Sequence, residues 1–171
     1  MRYVMMHKTD RNTEAGVMPP QELIAGMGRL IGDMIKSGTF LDAGGLRPSQ
    51  HRVRVVCLGG KATVTKGPFT AGHDVLAGFM AIKVKTIDEA VAWTKRCGAI
   101  LGDAEFEIGP MTESWDLGGP KPEGEVPLRC LVLHKATRAS EAGTPLPVQQ
   151  QAAAAKLFAE MKQQGVLLFH E

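Results

Sequence analysis

The chain reads MHKTDRNTEAG from Met6 to Gly16 and LHKATRASEAG from Leu133 to Gly143. A shift of 127 positions extends this match in both directions without a gap. Arg2 falls on Arg129, His7 on His134, Lys8 on Lys135, Arg11 on Arg138, Pro20 on Pro147, Leu30 on Leu157, Met34 on Met161, Gly38 on Gly165 and Leu41 on Leu168. Residues 128–171 therefore read as the first strand, loop, helix and second strand of an incomplete second copy of the chain's opening. Half a copy leaves a helix stripe and a strand edge without partners. Leu157, Phe158 and Met161 are accordingly expected to bury against the first domain or another chain, within an oligomer. The other reading is a remnant of a tandem protein.

Between the two segments the pattern of apolar residues predicts the remaining elements. Residues 2–7, RYVMMH, alternate as a strand does. After a polar loop, Pro19 and Pro20 open a helix where proline is tolerated. Leu23, Ile24, Met27, Leu30, Ile31, Met34 and Ile35 line one face of that helix, and Gly38 ends it. A short strand around TFLDA (39–43) follows. RVRVVCL and KATVT flank Gly59-Gly60, a hairpin signal because both glycines accept positive φ. AGFMAIKVK reads as a central strand. Thr86 and Glu89 have the spacing of a capping box that opens a second helix, with Ile87, Ala90, Val91 and Thr94 inward. AEFEIGPM alternates as a last strand. The order β-α-β, hairpin, β-α-β predicts an α+β fold, a ferredoxin-like βαββαβ unit with an inserted β-hairpin, plus the C-terminal partial repeat. The expected division is a domain over 1–116, a glycine- and proline-rich linker over 117–127, and the incomplete copy over 128–171.

Composition narrows the function. With 20 basic and 18 acidic residues the net charge is +2, and aromatics are 5% of the chain, which argues against nucleic-acid binding. No apolar run approaches the ~18 residues of a membrane span, and the N-terminus is too soon polar for a signal peptide. Cys57, Cys97 and Cys130 sit far apart in apolar segments, as expected of reduced, buried thiols in a cytoplasmic protein. The histidines, His7, His51, His73, His134 and His170, have no ligand-spaced neighbours, so no metal is expected. No phosphate loop or nucleophile elbow is present, and no cofactor is expected.

The candidate site residues cluster in the first phrase. His7 stands beside Lys8, with Asp10, Arg11 and Glu14 following. His7 and Asp10 are the candidates for proton transfer, with Arg11 holding an anionic group. The other reading is a solvated loop whose charges pair with one another. Lys66 opens the segment Gly67-Pro68-Phe69, which reads either as a lid placing Phe69 over a cleft or as a turn burying it. His73 is a further ligand-binding candidate beside Asp74, or part of a polar turn.

The order of these segments resembles the YCII-related proteins, in the branch named after an Asp-Gly-Pro-Phe motif. The resemblance runs over residues 1–112, and its first half returns over 128–171. It implies a ferredoxin-like fold that pairs into a dimeric α/β barrel, hence a homodimer, with a cleft beside the sheet. Some relatives are proposed to use a His–Asp pair, and a few degrade chlorinated aromatics without a cofactor. Here Lys66 stands at the motif Asp, and Met27 stands where many relatives carry the helix His. The expected function is a small-molecule ligand-binding or regulatory module for an anionic or aromatic ligand. The alternative is a cofactor-free enzyme, lyase- or dehydrochlorinase-like, acting by proton transfer.

Overall fold

The computed structural model describes residues 1–69 and 75–170. The predicted hairpin forms from β1 (Val53–Leu58) and β2 (Lys61–Lys66), with Gly59 and Gly60 both at positive φ in the turn. Strand β3 (Leu76–Val84) leads into a helix, Ile87–Leu101, and then into β4 (Ala104–Pro110). The Thr86 hydroxyl accepts the Glu89 backbone N–H at the start of that helix, while the Glu89 carboxylate accepts the Lys85 N–H. Its inward face carries the expected Ala90, Val91 and Thr94, and also Trp93 and Cys97. Two further strands, β5 (Leu128–Lys135) and β6 (Leu167–His170), complete an antiparallel six-stranded sheet in the order β2-β1-β4-β5-β3-β6.

The shifted phrase is visible in the helices. Short α1 (Arg11–Glu14) and long α2 (Gln21–Lys36) in the opening segment are matched by α4 (Arg138–Glu141) and α5 (Val148–Gln163) near the end, and α3 is the helix Ile87–Leu101 between them. Asp10 and Thr137 each cap the short helix through a side-chain oxygen. Gly38 and Gly165 both adopt positive φ just beyond the long one.

Their surroundings differ completely. Residues 128–170 share one core with 53–110: Cys130 and Val132 of β5, Leu157 and Met161 of α5, and Val166 all pack with Val55, Ile82, Phe106 and Ile108. This is where the tail's apolar stripe goes. It docks on the sheet of its own chain. The predicted strands over 2–7 and 39–43 do not form, and Met1–Asp10 are exposed without regular structure. The reason is occupancy. A strand needs a neighbour for its N–H and C=O groups. The edges facing each other between β4 and β3 are filled by β5, and the outer edge of β3 by β6. Helix α2 forms with its predicted apolar stripe but buries none of its residues.

Strand parity sorts the sheet into two faces. Val53, Val55, Phe106, Ile108, Cys130 and Val132 point toward α3 and α5. The opposite face carries a ladder of ion pairs in which Arg52 and Arg54 meet Glu107, and Arg54 and Lys135 meet Glu105.

The contrast between the segments is measurable in counterpart residues. Leu157 is 4% exposed and Leu30 is 53% exposed. Leu157→Ala is expected to lower the unfolding free energy by about 2–5 kcal/mol, and Leu30→Ala to change it by less than about 0.5 kcal/mol. Urea unfolding of the two variants checks this.

Candidate functional site

The end of β5 departs from the apolar rule of its inward face. After Cys130 and Val132, the next inward position is His134, opposite Phe106 in the β4 register. Around it, β3 contributes Gly78, Phe79 and Met80, α3 contributes Cys97 and Leu101, α5 contributes Phe158, and β6 contributes His170. They line a half-open pocket of about 160 Å³ whose lining holds no Asp, Glu, Lys or Arg side chain.

The two histidines are held by stacking. The His134 ring lies on Phe106 with centroids 4.9 Å apart at 25°. His170 lies on Phe158 at 4.5 Å and 15°. His170 is exposed and forms the rim, whereas His134 is half-buried. The His134 Nε2 atom is buried and has no hydrogen-bond partner among the described residues. Burial lowers the His134 pKa below its ordinary 6.5, so the imidazole is neutral at pH 7. A neutral imidazole donates from one nitrogen and accepts at the other, so Nε2 can meet either a hydroxyl or a carbonyl. Cys97, beside it, is a protonated thiol: burial pushes it up to about 11. Cys130, deeper, is pushed up to about 12. Neither is a nucleophile in that state. All three cysteines are free and buried, as the sequence predicts.

The residues singled out in the opening phrase lie elsewhere. His7, Lys8, Asp10 and Arg11 are exposed. The Asp10 carboxylate accepts the Thr13 N–H at 2.7 Å, and this bond holds its carboxyl below the usual range. Glu14 reaches the folded body: it accepts the Ser49 backbone N–H at 3.0 Å and the Ser49 hydroxyl. That hydroxyl in turn accepts the Phe69 N–H at 3.0 Å. Glu14 and Phe69 are thus joined through Ser49, and the Arg54 guanidinium covers the Phe69 ring at 4.4 Å. Lys66 is exposed at the end of β2. His73 and Asp74 lie outside the described residues.

The counterparts of the polar cluster do come together. Lys135, Thr137, Arg138 and Glu141, which match Lys8, Asp10, Arg11 and Glu14, line an open cleft of about 630 Å³ with Asp103 and Glu105. Strand alternation explains the split between two cavities: His134 points to the helical side and Lys135 to the other. The sequence signal for His134 was its coincidence with His7 under the shift. Phe106 and Phe158 carried no signal beyond their place in an apolar pattern. Among the described residues, no group of three His, Cys, Asp or Glu side chains could hold a metal ion. No helix among them is long and apolar enough to cross a membrane.

The family model of the YCII-related domain matches residues 1–112. The chain belongs to the YCII-related domain family. No curated protein and no solved structure matches it. In this YCII-related chain the matched span supplies only part of the cavity wall, from β3, α3 and β4. His134, Phe158 and His170 come from beyond it.

The buried imidazole makes stability depend on pH. The folded state resists the proton that the unfolded chain takes up near 6.5, so stability is intact above that pH and falls as the pH drops below it. Unfolding free energies measured between pH 7 and pH 5 are expected to decline less in His134→Asn than in the wild type.

Proposed function

We propose that this YCII-related chain is a small-molecule binding module, and that its ligand is a compact aromatic ring with one polar substituent, held between sheet and helices at His134. The observation that carries this reading is the buried, unpartnered Nε2 atom of His134, a residue that lines an otherwise apolar pocket. A buried polar atom without a hydrogen bond costs about 1–3 kcal/mol, and a ligand hydroxyl or carbonyl removes that cost. Size supports a single ring, since an apolar cavity of about 150 Å³ is known to take benzene. The uncharged lining favours a neutral aromatic over an anion, because no cation lines the wall to offset the desolvation of a carboxylate.

Strands β4-β5-β3-β6 with α3 and α5 form the ferredoxin-like unit, and the β1–β2 hairpin is the addition at its edge. The sheet face bearing the ion-pair ladder is the face left for a second copy, which would close a dimeric barrel.

Titration with phenol, toluene and benzoate, followed by thermal shift and by the ring resonances of His134, tests the binding reading. Phenol is expected to raise the melting temperature most and to shift His134, toluene less, and benzoate least. In His134→Phe the preference for phenol over toluene disappears. If none of the three perturbs His134 or the melting temperature at millimolar concentration, the reading is wrong. Turnover of the bound compound would move it to the cofactor-free enzyme.

A further inference from the structure

The opening segment is the largest feature that the binding site leaves unused. Helix α2 is formed, with Gly38 in positive φ just beyond its end, yet Leu23, Met27, Leu30 and Ile35 are each about half exposed, at 55%, 47%, 53% and 58%. Before it, Tyr3 and Met5 are 81% and 83% exposed. An apolar face of this kind marks an interaction surface, and the chain itself specifies the partner. Every inward residue of the docked tail has a counterpart here. Cys130 sits opposite Ile82 and Val132 opposite Met80 in the β3 register, and the shift lays Tyr3 and Met5 on them. Leu157 and Met161 in the core correspond to Leu30 and Met34, and Leu167 beside Ile82 corresponds to Phe40.

We propose that residues 1–43 and residues 128–170 are alternative occupants of one seat on the sheet built by residues 53–110, and that the opening segment enters this seat in the same chain when the tail leaves it. The helices of the opening segment already have the lengths of the docked ones, so entry requires strand pairing rather than new helix formation. Differences in fit decide the resting occupant. Cys130 is fully buried, and Tyr3 is far larger. Val166 is buried, and Thr39 would bring a hydroxyl to the same place.

The tether permits the exchange at a cost. Ala43 would lie where His170 now meets Met80, and residues 44–52 would then cross about four strand spacings, roughly 19 Å. Nine residues reach about 30 Å when extended. The Leu46–Met111 bridge and the Arg47–Asp116 ion pair must open first, so the exchange is slow. It also rewrites the cavity. His7 takes the place of His134, while Phe158 and His170 give way to Ile31 and Ala43. One chain thus holds two versions of the pocket, both with an imidazole and only one with the aromatic clamp.

Hydrogen exchange of the full-length chain tests this without reference to any ligand. In the wild type, residues 128–135 are expected to be protected and residues 2–7 to exchange fast. Leu157→Asp should transfer protection, slowing 2–7 at least tenfold and releasing 128–135. Adding Leu30→Asp should leave both fast. Should Leu157→Asp leave 2–7 as fast as in the wild type, the proposal fails. A second arm keeps Leu157. Lys83 pairs with Arg129 in the β3 register, so the shift places Arg2 at that position. In the Arg2→Cys/Lys83→Cys variant under mild oxidation, an intrachain cross-link should accumulate and residues 128–135 should lose protection. A cross-link found only between chains, or none, overturns it.

Discussion

Strand β5 is what joins the sheet. In the order β2-β1-β4-β5-β3-β6 it is bonded to β4 on one side and β3 on the other. Without it the described sheet would separate into a three-stranded and a two-stranded piece, each with an open edge. A central strand answers for backbone groups on both neighbours, and buried N–H and C=O groups left unpaired are costly. Its inward side chains then join the core, since Cys130 and Val132 belong to one buried cluster with residues of β1, β3, β4, α3 and α5. The residues nearest the C-terminus therefore complete a core that the middle of the chain begins.

The same strand sets up the site. Pairing on both edges leaves β5 no freedom to turn His134 outward, because alternation puts every second residue on the helical face. The imidazole is carried into an apolar space whether or not the space can satisfy it. Phe106 offers a stacking surface but no hydrogen bond, and the Nε2 atom stays open. Groups of this kind are tolerated where the surrounding structure over-determines their position, and that is also where function collects.

The elements specified by neighbours in sequence were legible. Gly59-Gly60 with its flanking alternation became the hairpin, Thr86 capped its helix, and the spacing of Leu23 to Ile35 became α2. What alternation cannot state is the partner. RYVMMH carries the same signal as LRCLVLHK, yet only the second is a strand, because the seat beside β3 and β4 holds one occupant. The site was half legible for the same reason. His7 and His134 coincide under the shift of 127 positions, but nothing local distinguishes the one that is half-buried from the one that is solvated. Phe106 and Phe158 were invisible as site residues, since an inward aromatic reads as core until the strand beside it delivers a histidine.

Competition for one seat also explains why the polar phrase behaves differently in its two places. Lys135, Arg138 and Glu141 line a cleft because β5 ends there and the chain must turn away from the sheet. Lys8 and Arg11 hold the matching positions in the opening phrase and have no sheet to turn from. Of that set, Glu14 alone finds the folded body, through Ser49. Chemistry in this chain thus follows docking rather than motif, and the residues matched to the family are completed by a segment outside the match. A substitution in α5 that loosens the tail acts on the cavity as directly as one in its wall, because the helix that buries Leu157 and Met161 is the helix that holds Phe158 against His170.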